Sequence, residues 1–185
     1  DVRRNLGYDI QMEAINNVLF DYERSGSRYT TGIENHPEDA VGTKFQFQFL
    51  NNYYLNRDDR QPEIEAVLKH GVIEPLQVYA AGNIGPHRPS GQHDDLAVAF
   101  TEAKQPIRAA APDVQRQIAS QPLFHAPIPV TTEPAPAAYE RVIKEAGASR
   151  VRDAVDQRIL ADVRNRRFGQ IVKSQNDVGG WPKLD

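Results

Sequence analysis

One asparagine frame recurs three times in the first half of the chain and restricts what it can fold into. Ala14-Ile15-Asn16-Asn17-Val18, Phe49-Leu50-Asn51-Asn52-Tyr53 and Ala80-Ala81-Gly82-Asn83-Ile84 each run from an apolar stretch, through Asn or Gly, to Asn and then an apolar residue. Asn17, Asn52 and Asn83 stand 35 and 31 residues apart. A repeat of that size marks an array of supersecondary units, each burying its apolar side against the next. A strand pattern precedes every copy. Ile10-Gln11-Met12-Glu13-Ala14, Phe45-Gln46-Phe47-Gln48-Phe49 and Leu76-Gln77-Val78-Tyr79-Ala80 alternate apolar and polar residues, the period of a half-buried strand. Ala66-Val67-Leu68 is a weaker instance. An asparagine at a bend tolerates left-handed backbone and bonds its own main chain. Asparagines at equivalent bends can also bond one another.

These features predict an all-β fold, a right-handed parallel β-helix forming a partial solenoid over residues 1–100. Tyr22 to Gly42 and Arg57 to Pro62 are expected to be loop inserts. From Gly85 to Pro136 prolines are frequent and no period runs through them, which predicts an irregular wrapping segment. A short helix is expected near Ala111 to Ser120, and extended chain at Pro127 to Val130. Two helices should close the chain. Thr132 is a candidate N-cap for the first, with Ala138, Val142, Ile143 and Ala146 on one face and Gly147 as its stop. The second should start at Asp153 and carry Val155, Ile159, Leu160 and Val163. Residues 101–185 would thus be a wrapping segment and a helical extension on the solenoid. Trp181, the single tryptophan, reads as an anchor for the C-terminal arm.

Composition narrows the function classes. The chain has 185 residues, enough to bury a sizeable core. It contains no cysteine, which removes disulfides, zinc-thiolate sites and cysteine nucleophiles. A formal charge of −3 gives no overall pull toward nucleic acid, and no apolar run has the length of a membrane span. The expected partners therefore include neither nucleic acid nor membrane. No phosphate loop, nucleophile elbow, zinc helix or calcium-binding loop is present. His36, His70, His87, His93 and His125 are scattered, and His93-Asp94-Asp95 reads as a solvated turn rather than a metal site. Arginines are more suggestive. Arg3 and Arg4 precede the first strand. Arg24 and Arg28 follow it, with Tyr22 and Tyr29 nearby. Guanidinium groups bind carboxylates bidentately and aromatic rings offer a platform for sugars, so an acidic polysaccharide would fit these residues; composition alone favours reading them as ordinary surface arginines in a chain with 22 basic residues.

Three stretches resemble the C-terminal half of pectate lyases and related polysaccharide lyases. Arg4-Asn5-Leu6, followed by Gln11 to Val18, is similar to the family's Arg-x-Pro element and its Asn-Asn strand end, with Leu6 in place of the proline. Phe49-Leu50-Asn51-Asn52-Tyr53-Tyr54, leading to Val78 to Asn83, resembles the next coils. Pro129 to Thr132, Arg152 to Asp156 and Ser174 to Pro182 resemble a C-terminal extension of a microbial branch. The resemblance implies a secreted, extracellular enzyme that cleaves polygalacturonate by calcium-assisted β-elimination. It implies Arg4 as the base, with Arg3 the one-residue-shifted alternative; Arg24, Arg28 and Tyr29 are the substrate-binding candidates read from the residues themselves. The family's calcium carboxylates belong to coils earlier than the Arg-x-Pro element, so the chain is expected to be the C-terminal part of a longer enzyme. The alternative is a non-catalytic module that binds an acidic glycan or a protein partner.

Overall fold

The computed structural model describes residues 9–29, 44–66, 76–170 and 172–180. Each alternating segment forms a strand. β1 is Ile10–Ile15, β4 is Phe45–Leu50 and β7 is Leu76–Ala81. They lie parallel in the order β1-β4-β7. The repeat interval becomes the pairing register: Ile10 faces Phe45, and Phe45 faces Leu76. A short strand follows each of the first two bends, β2 (Val18–Phe20) and β5 (Tyr53–Leu55), and these two pair in parallel. A third parallel sheet has the order β3 (Ser27–Tyr29), β6 (Ile64–Ala66) and β8 (Ala99–Thr101).

The bends divide two tasks between adjacent residues. Asn16, Asn51 and Gly82 take the left-handed turn, with φ of 55°, 53° and 68°. The following asparagines build a ladder. Asn17 Nδ2 donates to Asn52 Oδ1 at 3.0 Å, and Asn52 Nδ2 donates to Asn83 Oδ1 at 2.9 Å. The main-chain N–H groups of Asn17 and Asn52 donate to the same oxygens. Asn52 and Asn83 are fully buried, so the ladder satisfies polar groups that have no access to water.

Period-2 alternation sends Phe45, Phe47 and Phe49 into one core with Leu76, Val78 and Ala80. Each fully buried aromatic or branched side chain contributes roughly 2 kcal/mol of transfer free energy. Ile107, Ala110 and Val114 close this core beyond β7. There the segment around Gln117 adds to the sheet edge: Val78 N–H donates to Gln117 O and Ala119 N–H donates to Val78 O. Outside the sheet, Gln11, Gln46 and Gln77 bond side chain to side chain. Gln48 instead receives the strap after residue 120, its Oε1 accepting from Leu123 N–H at 2.7 Å.

The chain beyond β8 carries the α-helices, separated by irregular segments. A short α1 spans Pro112–Gln115. The helices α2 (Ala135–Glu145) and α3 (Ala154–Arg164) bury Ile143 and Val163 against Leu55, with Val18, Phe20 and Tyr53 around them. Rings tie the two parts together: Tyr53 meets Tyr139 at 5.0 Å, and Phe20 stacks on Phe168 at 5.1 Å. Asn16 pins the approach to α2 by exchanging hydrogen bonds with the main chain of Glu133.

The expected all-β, right-handed parallel β-helix is corrected by this arrangement. Helix and strand are present in about equal shares, and the strands form three separate short parallel sheets rather than a closed or solenoid sheet. The physical reason is that alternation reports one buried face per strand and nothing about how strands from successive repeats join. The Tyr22 to Gly42 insert also contains β3. The first C-terminal helix starts after Pro134 rather than Thr132, because proline suits the beginning of a helix where no N–H partner exists. Asp153 does cap α3, and Gly147, at φ 68°, follows the end of α2. Ala66 is the last described residue of β6, so Val67 and Leu68 lie outside the described residues, as does Trp181.

Candidate functional site: a polar trough beside a buried Glu–His pair

The bend after β5 leads into a loop whose own side chains hold its shape. Asn56 Nδ2 donates to Tyr22 O at 2.9 Å, and Asn56 Oδ1 accepts the Arg57 N–H. Asp58 accepts from the main chain of Arg60 at 3.0 Å and from its Nε at 2.7 Å, a local turn that needs no outside partner. The hydrogen bonds from Arg60 hold the Asp58 carboxyl below its ordinary range. Arg57 reaches to Asp21 at 3.2 Å, whose second oxygen accepts the Gly169 N–H at 2.7 Å. The loop is thereby anchored both to the chain after β2 and to the chain beyond α3.

Two cavities flank this loop. One, of about 420 Å³, lies between it and residues 84–89, with Tyr53 and Arg166 completing the wall. The other, of about 240 Å³, lies on the side of Tyr22 and Glu23. Asn56, Arg57 and Asp58 line both, so these three residues are the shared wall of two adjacent polar lobes, together called the trough. Arg166 is exposed at its border, and no salt bridge among the described residues engages it.

Beside the larger lobe, Glu63 is fully buried. Its Oε1 accepts the main-chain N–H of His87 at 2.8 Å, and its Oε2 meets His87 Nδ1 at 2.7 Å. The bond to Glu63 raises the His87 pKa above its ordinary value. The ring packs on Phe100 at 4.5 Å. Gly85 passes so close that a Cβ there would collide with the Glu63 carboxylate, which requires glycine at that position.

The arginines suggested by the sequence sit elsewhere. Arg28 Nε donates to the buried Glu65 at 3.0 Å and its Nη2 to Glu102 at 3.0 Å. Arg24 lies 3.5 Å from Glu65 and 4.0 Å from Glu102. The structure thus brings Arg24 and Arg28 together on the sheet of β3, β6 and β8, where a ligand carboxylate must compete with two internal ones. Tyr29 ends β3 opposite Ala66. Arg3, Arg4, His36 and His70 lie outside the described residues. In His93-Asp94-Asp95, Asp94 caps a 3₁₀ turn and binds Arg108, while Asp95 binds Arg88 and the Gly82 N–H.

The sequence places His87 among scattered histidines without a role and gives no site signal for Glu63 or Arg166. Glu63 and His87 are 24 residues apart with no shared period. The nearest signal was Pro62 and Pro86, which marked turns and nothing more. The chain matches no family model, no curated protein and no solved structure.

Proposed function

We propose that the chain recognises an acidic polysaccharide of the polygalacturonate type in the two-lobed trough, as part of a secreted pectate-lyase-like protein. The observation that carries this reading is the position of Arg57, a fixed guanidinium shared by both lobes. Planar guanidinium, amide and carboxylate groups are suited to sugar hydroxyls, and guanidinium pairs bidentately with a uronate carboxylate. Arg166 offers a second cation at the border of the larger lobe. In this reading Arg4, or Arg3 one residue before it, remains the candidate base for β-elimination, carried from the family resemblance.

The donor set does not fit the calcium ion that the resemblance implies. Among the described residues no group of three or more histidines and carboxylates could hold a metal, and Asp58 in the trough is already bound by Arg60. That donor set, with Arg24 and Arg28 held by internal carboxylates, favours a second reading, a non-catalytic glycan-binding module.

Calorimetry with trigalacturonate, alongside ultraviolet absorbance on polygalacturonate with calcium, tests both. Binding that weakens about tenfold in Arg57→Ala, the loss expected for one charge-assisted contact, supports the trough. An unsaturated product supports the lyase, and binding without product supports the module. Absence of both binding and product overturns the glycan assignment.

A further inference from the structure

We infer that Arg166 is the carboxylate-selecting residue of the larger lobe, held there by a left-handed helix end where glycine would be the more stable choice. The inference rests on the reading of the trough as a glycan site and names the group that this lobe selects. Helix α3 ends at Arg164, and Asn165 caps it. Arg166 follows with φ 52°. Its N–H donates to Val163 O at 3.2 Å, and the Arg167 N–H donates to Asp162 O at 2.9 Å. This is the helix stop in which glycine usually takes the left-handed position, because a Cβ there crowds the main chain. The chain after α2 follows that rule with Gly147, at φ 68°. Asn16, Asp21 and Asn51 are also left-handed, but their short polar side chains tolerate the geometry. Arginine has no such compensation. The chain beyond Arg166 is pinned: Arg167 Nε binds the buried Asp162 at 2.7 Å, Phe168 stacks on Phe20, and the Gly169 N–H donates to Asp21.

The strained position brings a cation to the larger lobe. Arg166 lines that cavity of about 420 Å³ together with Tyr53, Ile84, Pro86 and Pro89. Tyr53, backed by Tyr139 at 5.0 Å, and the two prolines give the lobe apolar surface for the face of a sugar ring. The charged groups around the lobe differ in what they already hold. Arg57 binds Asp21, and Asp58 binds Arg60. Among the described residues no salt bridge engages Arg166, nor Asp59 on the loop wall. A ligand carboxylate at Arg166 therefore displaces no internal partner among them, whereas at Arg57 it shares the guanidinium with Asp21. The fork of Arg166 matches a carboxylate bidentately, and Asp59 is an acceptor for sugar hydroxyls. A uronate is thereby set with its acid group at the α3 end of the lobe and its hydroxyls toward the loop. A neutral sugar of the same shape lacks the group that Arg166 binds.

Arg166→Gly separates the two roles of the residue. The test is calorimetry of the full chain with trigalacturonate and with its neutral counterpart galactotriose, next to urea unfolding of the same variant. The expected result is a urea midpoint equal to or above that of the native chain, because glycine relieves the left-handed strain. Trigalacturonate should bind about tenfold more weakly, the loss of one charge-assisted contact, while galactotriose is unaffected. Three results overturn the assignment. One is trigalacturonate affinity equal to native in Arg166→Gly. Another is equal weakening of both sugars, which would mean that Arg166 does not read the acid group. The third is a midpoint clearly below native, which would make the arginine a structural residue. If Arg57→Ala weakens trigalacturonate while Arg166→Gly does not, the trough reading stands and the role of Arg166 falls alone. If trigalacturonate does not bind the native chain, the trough reading fails and takes this subsite with it.

Discussion

Asn52 carries more of the fold than any other single polar side chain described. Its Oδ1 accepts from the main chain and the side chain of Asn17, and its Nδ2 donates to Asn83 and to Ala14 O. Removing it leaves several buried groups unpaired at once, and the penalty for such orphans exceeds the net value of the bonds themselves. Asn52→Ala should therefore lower stability by about 3 kcal/mol, read from the shift in urea midpoint; a change under about 0.5 kcal/mol contradicts the ladder's role. Gly82 tests the neighbouring position. Its φ is 68°, and a Cβ would collide with Asn51 Oδ1. Gly82→Ala should cost about 2 kcal/mol in the same assay, since left-handed strain and a clash act together. The Asn and Gly spacing was legible as a repeat. That the first residue of each pair makes the turn and the second makes the ladder was not, because the roles depend on which neighbour each amide meets.

Among the elements, six-residue strands were readable and three-residue strands were not. β1, β4 and β7 alternate long enough to display a period. β2, β3 and β5 are three residues each and exist only because a parallel partner completes their hydrogen bonds. The α3 helix was readable for a local reason. Asp153 Oδ1 accepts from Val155 N–H and Asp156 N–H, both at 2.9 Å, so the start of the helix is written in one side chain. Asp153→Ala should destabilise the protein by about 1 kcal/mol, and hydrogen exchange should show the first turn of α3 losing protection before the sheets do. Uniform loss across the molecule would show that α3 unfolds only with the whole.

For the whole molecule, the pairing of His87 with the buried Glu63 predicts a pH profile. His87 has a folded-state pKa raised by its bond to Glu63. Its contribution to stability is therefore complete below the ordinary histidine value of 6.5 and is lost as pH rises through the raised value. Urea midpoints should fall across that window in the native chain, and His87→Gln should flatten the slope. A native profile that rises there would contradict the pairing. The trough belongs to this scale too. Its walls come from the segment after β5, the turn at 84–89 and Arg166 beyond α3, three stretches whose local patterns say only that they are loops or a helix end. Arg24 and Arg28 follow the first strand with Tyr22 and Tyr29 nearby in sequence, and the fold gives them Glu65 and Glu102 as partners.

By itself the chain determined its strand period, its repeat interval and the start of its last helix, because each depends on residues within a few positions of one another. Tertiary structure alone decided that the strands form three short sheets beside a helical half. It also decided that Glu63 meets His87 and that Arg57 stands between two cavities. Those outcomes depend on which distant groups arrive at the same place, and burial then makes an unmatched charge or amide too costly to leave alone.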